Sequence, residues 1–231
     1  IIKEMKDSGY SVIIVHGAGS FGHLEARKWK LSEGYDQEIS EEQSDAISRV
    51  RSDMDDLNDY VVTSLMNVGI ECDAMPPREW ATGVGVEFQG DLDSFARDPR
   101  QPIPITFGDV VDTADDTRFG ILSGDHIMVR LGCEVPDVSA CIFLLGDVDG
   151  LMDSPPNEPG SVLLPTWKLD EGFSRSHNPD VDVTGGIMLK AHCASLIARR
   201  VEDVWLLNGT VPSRMLTVVS KDDTIGTRVL H

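Results

Sequence analysis

The sequence predicts an α/β fold, a mainly parallel open sheet with helices on both faces. Strand-like and helix-like segments alternate along the whole chain, as in successive βα units. Residues 139–145, Ser-Ala-Cys-Ile-Phe-Leu-Leu, form the continuous apolar run of a parallel strand buried on both faces. Residues 11–15, Ser-Val-Ile-Ile-Val, empty directly into His16-Gly17-Ala18-Gly19-Ser20-Phe21-Gly22-His23, a glycine-rich turn between a strand and a helix. With 231 residues, 41% of them hydrophobic, the chain can bury a full core as one domain, or as one domain with two lobes.

Residues 1–10 read as the end of a helix, closed by Ser8-Gly9 before the first strand. After the glycine turn, residues 24–31 are helical. Residues 40–67 form a long acidic helix with Ala46, Ile47, Val50, Met54, Leu57, Val61, Leu65 and Met66 at helical spacing, a stripe suited to core packing. Residues 71–75 are a short strand and residues 91–97 a helical turn or two. Residues 102–111 are a strand whose prolines point to a sheet edge or a strand start, with Gly108 and Asp109 near its end. The strand 119–122 runs into Ser123-Gly124-Asp125, where serine or aspartate caps a helix over 126–132. Residues 154–160, with three prolines, are a surface loop. A further helix starts near Thr184 and puts Ile187, Ala191, Ala194 and Ala198 on one stripe, and residues 204–207 are again a strand.

A net charge of −19 argues against nucleic acid or acidic membranes as partners, because their phosphates would meet a repelling surface. No segment is long and apolar enough to span a membrane, and the first residues lack the pattern of a secretory signal, so the expected location is the cytoplasm. Cys72, Cys133, Cys141 and Cys193 are scattered without a Cys-x-x-Cys pair, which reads as reduced thiols. The acidic surface suits ordinary solubility or a salt-rich habitat, where 1 M salt cuts the Debye length to about 3 Å.

The turn at residues 16–23 has the layout of an anion site. Its small residues let backbone approach an anion, the following helix presents unpaired N–H groups, and His23 adds a side-chain donor. Ordinary strand-to-helix packing is the alternative. Three more loops fall at predicted strand ends or helix starts, where ligands gather in open α/β sheets: residues 123–125, 146–150 and 184–186. Convergent glycine loops with carboxylates and a lysine suit phosphoryl transfer, which needs positioning and charge neutralisation above all. Lys190 is one of seven lysines and stands one helical turn after Gly186, placed to fold back over a phosphate or to face solvent. Asp125 can orient a cation, cap a helix, or do both. Asp147 and Asp149 can contact nucleotide hydroxyls or metal-bound water, or form an ordinary turn. His177 and His192 are isolated and read as surface or helix-face residues.

In order and content these segments resemble the amino acid kinase superfamily, and within it the isopentenyl phosphate kinases. Gly-Ser-Phe-Gly-His at 19–23 is the most specific element. It is followed by Ile121-Leu122-Ser123-Gly124-Asp125, Gly146-Asp147-Val148-Asp149-Gly150, Asp182-Val183-Thr184-Gly185-Gly186 with Lys190, Leu207-Asn208-Gly209 and Ile225-Gly226-Thr227. The resemblance covers nearly the whole chain and implies the three-layer amino acid kinase fold. It further implies an acceptor-phosphate lobe over about residues 1–113 and an ATP lobe over about residues 114–231.

The implied reaction is ATP plus isopentenyl phosphate giving ADP plus isopentenyl diphosphate, with Mg²⁺ neutralising the β- and γ-phosphates. No protein base is needed, since the acceptor phosphate is already anionic. By the same resemblance His23 binds the acceptor phosphate and helps stabilise the transferring group. Ala18, Gly19 and Gly22 supply close-approach backbone, and Gly124 lies beside the acceptor phosphate. Asp125 holds catalytic lysines, while Asp147, Gly150, Gly186 and Lys190, with Gly19, line the ATP side. A homodimer is implied too, and an apolar pocket for the prenyl tail, with the helix over 40–67 as its source.

Three departures stand out. The family's opening strand, its Lys-Leu-Gly-Gly-Ser loop and a following lysine are not in this sequence, so the polypeptide by itself is expected to be inactive or nearly so. Ala18 stands where glycine is usual, which is tolerable at negative φ, and His126 stands where a second aspartate is common. The rival readings are a fosfomycin-type kinase, a carboxylate kinase of the same superfamily, and a non-catalytic nucleotide-binding module.

Overall fold

A computed structural model describes residues 1–19, 21–168 and 186–231. They pack as two compact units, residues 2–131 and 132–231. The first unit begins with helix α1 (Ile2–Asp7), stopped at Gly9, whose φ of 89° a side chain would resist. Strand β1 (Ile14–His16) leads through the glycine turn into helix α2 (His23–Lys28). The long helix α3 (Ser40–Met66) follows, then the short strands β2 (Cys72–Ala74), β3 (Ala81–Thr82) and β4 (Gln89–Gly90). Strands β5 (Ile103–Phe107), β6 (Asp109–Asp112) and β7 (Phe119–Leu122) precede helix α4 (Gly124–Glu134), inside which the division between the units falls.

The ordering β1-β5-β2 is parallel throughout, with Ile14 opposite Ile105 and Cys72 opposite Ile103. Two expectations change here. The segment 102–111 is not one strand: it breaks at Gly108, and β6 leaves the parallel sheet to form an antiparallel pair with β7. Of the two readings of its prolines the strand start holds for Pro102, which stands directly before β5, and the edge does not, because β5 is central and buried along its whole length. Pro104 is tolerated for a local reason. The Ile103 amide donates to Glu71 on the β2 side, so position 104 turns its nitrogen toward β1, whose ladder begins only at Ile14 opposite Ile105.

Two apolar clusters hold this unit. Ile103 and Ile105 pack with Ile70 and with Ile14, Val61 and Leu65. Phe107, Val110 and Phe119 meet Ala46, Val50 and Met54 of α3, Ala26 of α2 and Leu31 just beyond α2. Of the expected α3 stripe, Met66 falls off the core face and is 62% exposed, while two polar residues, Gln43 and Asn58, are buried. Gln43 is satisfied by the backbone: its amide donates to Trp29 and Gly34 carbonyls at 3.1 and 2.9 Å, and its oxygen accepts from the Asp36 N–H at 2.9 Å.

The second unit contains strands β8 (Ala140–Leu145) and β9 (Thr166–Lys168), helix α5 (Ile187–Ile197), strand β10 (Asp203–Asn208), helix α6 (Arg214–Val219) and strand β11 (Thr227–Leu230). The sheet order is β8-β10-β11-β9, with only β10 and β11 antiparallel. Helix α5 packs on β8, β10 and β11 through its small face, where Ala191 and Ala194 are fully buried, and α6 packs on β8 and β10. Cys141 and Cys193 are buried cysteines, and burial pushes the Cys141 thiol up to about 12, far from reactivity. Ser20, His177 and the segment 182–185, with the expected helix start near Thr184, lie outside the described residues. Among the described residues no helix is long and apolar enough to cross a membrane.

One surface ion pair gives the first unit a measurable acid dependence. The Arg100 side chain and backbone N–H hold the Asp98 carboxyl down at about 2, against an ordinary 3.8. A lowered carboxyl stabilises the folded state above pH 3.8, and that contribution is lost as pH falls toward 2. Asp98→Asn should therefore lower stability slightly at neutral pH and flatten the acid-unfolding curve between pH 4 and 2, with mutant and parent converging near pH 2; a mutant curve superimposable on the parent's would contradict the pairing.

Candidate active site

The glycine turn sits at the carboxyl end of β1. Gly19 and Gly22 both have positive φ, 55° and 69°, and Gly22 forms the N-cap of α2. A Cβ at Gly22 would lie 3.1 Å from Val50 Cγ1, so the turn also rests directly on α3. Ala18 is not among the residues of positive φ, and its methyl packs on the cluster around Phe107, which explains why alanine is accepted here. His23 opens α2 with its side chain exposed, making no hydrogen bond or ion pair to any described residue. Its backbone N–H is spent on Phe21 at 2.8 Å, so the imidazole is what it offers a ligand.

Gly124 meets the same strand end from the other side. A Cβ there would stand 3.2 Å from the His16 carbonyl oxygen and 3.3 Å from Val15 Cγ1. Gly108 is similarly constrained, since a Cβ on it would stand 3.3 Å from the Gly124 nitrogen, and its N–H donates to the His16 carbonyl at 3.2 Å. Three backbones thus converge without intervening side chains, and the start of the eleven-residue α4 lies at the end of β1. The serine, not the aspartate, caps this helix: Ser123 Oγ accepts from the Asp125 N–H at 3.2 Å. Asp125 is half-buried in the first turn of α4.

Sequence reasoning missed the polar network behind these loops. Asp109, with a fully buried side chain, accepts from Arg78 Nη1 at 2.8 Å and from the Val110 N–H at 2.8 Å. Burial pushes its carboxyl up, and donation by Arg78 opposes that rise. His16 stacks on Phe107 at 4.9 Å and reaches Asn58 Oδ1 with Nε2 at 3.4 Å. The one available signal was an aspartate directly after a glycine at a strand end; nothing in the sequence pairs it with Arg78.

In the second unit the carboxyl ends of β8 and β10 adjoin, and the Gly209 N–H donates to Leu145 at 2.7 Å. Asp147 is exposed in the loop after β8. Asp149 accepts from Arg214 at 2.5 Å and from Asn208 at 3.1 Å, and these contacts, Arg214 first, hold its carboxyl below the usual range. Gly150 is buried, and a Cβ on it would collide with Thr227. Thr227 in turn accepts from the Leu151 N–H and donates to Leu164, so this glycine and the Ile225-Gly226-Thr227 segment lock the loop to β11. Gly186, with φ 83°, is the N-cap of α5, and a Cβ there would meet no atom of the described residues within 4 Å. The Lys190 N–H donates to the Gly186 carbonyl, placing the lysine one turn into the helix. A helix start capped by glycine, with a lysine one turn on, is of the type that fits a nucleotide phosphate. Among the described residues no group of three or more His, Cys, Asp or Glu side chains could hold a metal ion.

A family model described as the amino acid kinase family matches residues 1–208. The isopentenyl phosphate kinase of Thermoplasma acidophilum is 30% identical over 230 residues, covering 98% of this chain and 88% of that protein. The isopentenyl phosphate kinase of Methanothermobacter thermautotrophicus is 28% identical over 226 residues, covering 95% and 84%. A solved isopentenyl phosphate kinase structure superposes with a TM-score of 0.77 at 25% identity, covering 99% of this chain and 88% of the other.

Substitution at Gly124 tests the convergence. Alanine gains about 1 kcal/mol over glycine within a helix, whereas overpacking costs about 1–3 kcal/mol. With a carbonyl oxygen and Val15 as the obstacles, the cost wins, and Gly124→Ala should lower the melting midpoint by a few degrees. A raised midpoint, the pure propensity result, would contradict the contact.

Proposed function

The chain belongs to the amino acid kinase family, and on that footing we propose that it transfers the γ-phosphoryl group of ATP to isopentenyl phosphate, giving isopentenyl diphosphate and ADP. The observation that carries the reading is His23: an exposed imidazole without a partner among the described residues, at the lip of a turn that closes on the start of α4. Likeness to proteins named isopentenyl phosphate kinase over nearly the whole chain supports the substrate.

In this reading the first lobe, about residues 1–113, holds the acceptor. His23 donates to the acceptor phosphate, Ala18, Gly19 and Gly22 let the backbone approach it, and the N–H groups at Gly124 face it from the helix start. Asp125 steadies the lysines of the reaction. The second lobe, about residues 114–231, holds the nucleotide, with Gly186 and Lys190 against its phosphates and Asp147 and Gly150 in the loop beside it. Bound ATP with Mg²⁺ supplies the phosphoryl group in a charge-neutralised form. The protein then has no proton to remove from the acceptor, so its work is orientation, exclusion of water and neutralisation of charge. The enzyme works in the cytoplasm as a homodimer on small phosphates, and the apolar side of α3 contributes to the space for the prenyl tail.

The test is ATP-dependent conversion of isopentenyl phosphate, followed by ³¹P NMR, with the chain as it stands and with a Lys-Leu-Gly-Gly-Ser segment joined before it. His23→Ala should reduce kcat/KM by about 10²–10³, the effect of losing one preorganised donor to a transferring group. A folded, ATP-binding protein that leaves isopentenyl phosphate unchanged even with that segment in place would overturn the assignment and point to another acceptor, fosfomycin first.

A further inference from the structure

Besides its apolar stripe, α3 carries a polar one. Arg51, Asp55 and Asn58 follow at spacings of four and three and so share one helix face. Arg51 and Asn58 end on elements that bear the glycine convergence, and Asp55 reaches one through Arg78. Arg51 donates twice to the Val110 carbonyl, Nε at 3.0 Å and Nη2 at 2.9 Å. Asp55 accepts from Arg78 Nη2 at 2.7 and 2.8 Å, while Nη1 of the same guanidinium holds Asp109. Asn58, only 4% exposed, reaches the His16 ring. One helix face therefore grips both the last residue of β1 and the first two residues of β6, on either side of the Gly108 and Gly124 contacts.

We propose that Arg51, Asp55 and Asn58, with Arg78 as the link to Asp109, are positioning residues that set the spacing between the glycine turn and the start of α4, and thereby the affinity for the acceptor phosphate. The proposal rests on the function given above. Charge compensation alone does not account for the network. Asp109 already has Arg78 and the Val110 N–H, and Asp55 is about half-exposed, where an ion pair adds little stability. What the Asp55 contact adds is a tether from β6 to α3. Small displacements matter at such a site, since an error of about 1 Å in a reacting group can cost about 10²-fold in rate.

Asp55→Ala isolates the tether, because Arg78 stays on Asp109 and no buried carboxylate is stranded. We would combine it with Asn58→Ala and measure by calorimetry the Kd for isopentenyl phosphate and for ATP, alongside hydrogen exchange of peptides covering 14–24 and 107–112. The expected result is an acceptor Kd raised tenfold or more, an ATP Kd within twofold, faster exchange in those two peptides, and recovery of both in Asp55→Glu. Equal weakening of both ligands, or unchanged acceptor affinity, overturns the proposal. If the parent protein binds no isopentenyl phosphate, the function fails on its own account, while local exchange still decides the positioning role: unchanged exchange overturns it. Asp55→Ala alone, at a half-exposed position, serves should the double variant not fold.

Discussion

No side chain separates the end of β1 from Gly108 and the first residue of α4. A Cβ at Gly124 would press on the His16 carbonyl, and one at Gly108 would press on the Gly124 nitrogen. This contact is the constraint to which the rest of the first unit conforms. It forces the segment after β5 to break at Gly108 and turn away as β6, and it requires β7 to return antiparallel so that α4 starts beside β1. The Ser123 cap then leaves an eleven-residue helix beginning next to the glycine turn, where backbone N–H groups and the helix dipole favour an anion.

Electrostatics explain why backbone is used so heavily. A chain of net charge −19 that takes anionic substrates needs local positive potential against its own field. Several of its cations are already committed. Arg78 is bound between two carboxylates, Arg214 neutralises Asp149, and Arg97 pairs with Asp73. Oriented peptide N–H groups, one exposed histidine and Lys190 near a helix start can supply attraction without adding many charges.

Much of the fold was legible because it follows from local pattern. The apolar run at 139–145, the period of α3 and the glycine turn each specify an element by themselves, and those elements formed close to the expected bounds. What was not legible depends on partners distant in sequence. Pro104 reads as an edge signal unless the register of β1 is known, since only the late start of that ladder spares the missing N–H. The break at Gly108 comes from Gly124, and the role of Gly150 comes from Thr227, far along the chain. For the candidate site, the glycines and His23 could be picked out by type and order. Arg78, Asp109 and Asn58 could not, because arginine, aspartate and asparagine carry no periodic signal and their meaning lies in one three-dimensional network.

The central claim is that the glycine convergence and His23 together receive the acceptor phosphate. A crystal structure of the protein with isopentenyl phosphate tests it most directly. The account predicts the phosphate about 3 Å from a ring nitrogen of His23 and from a backbone N–H at the start of α4, the distances of ordinary hydrogen bonds. A phosphate bound away from both, with His23 turned to solvent, would contradict it.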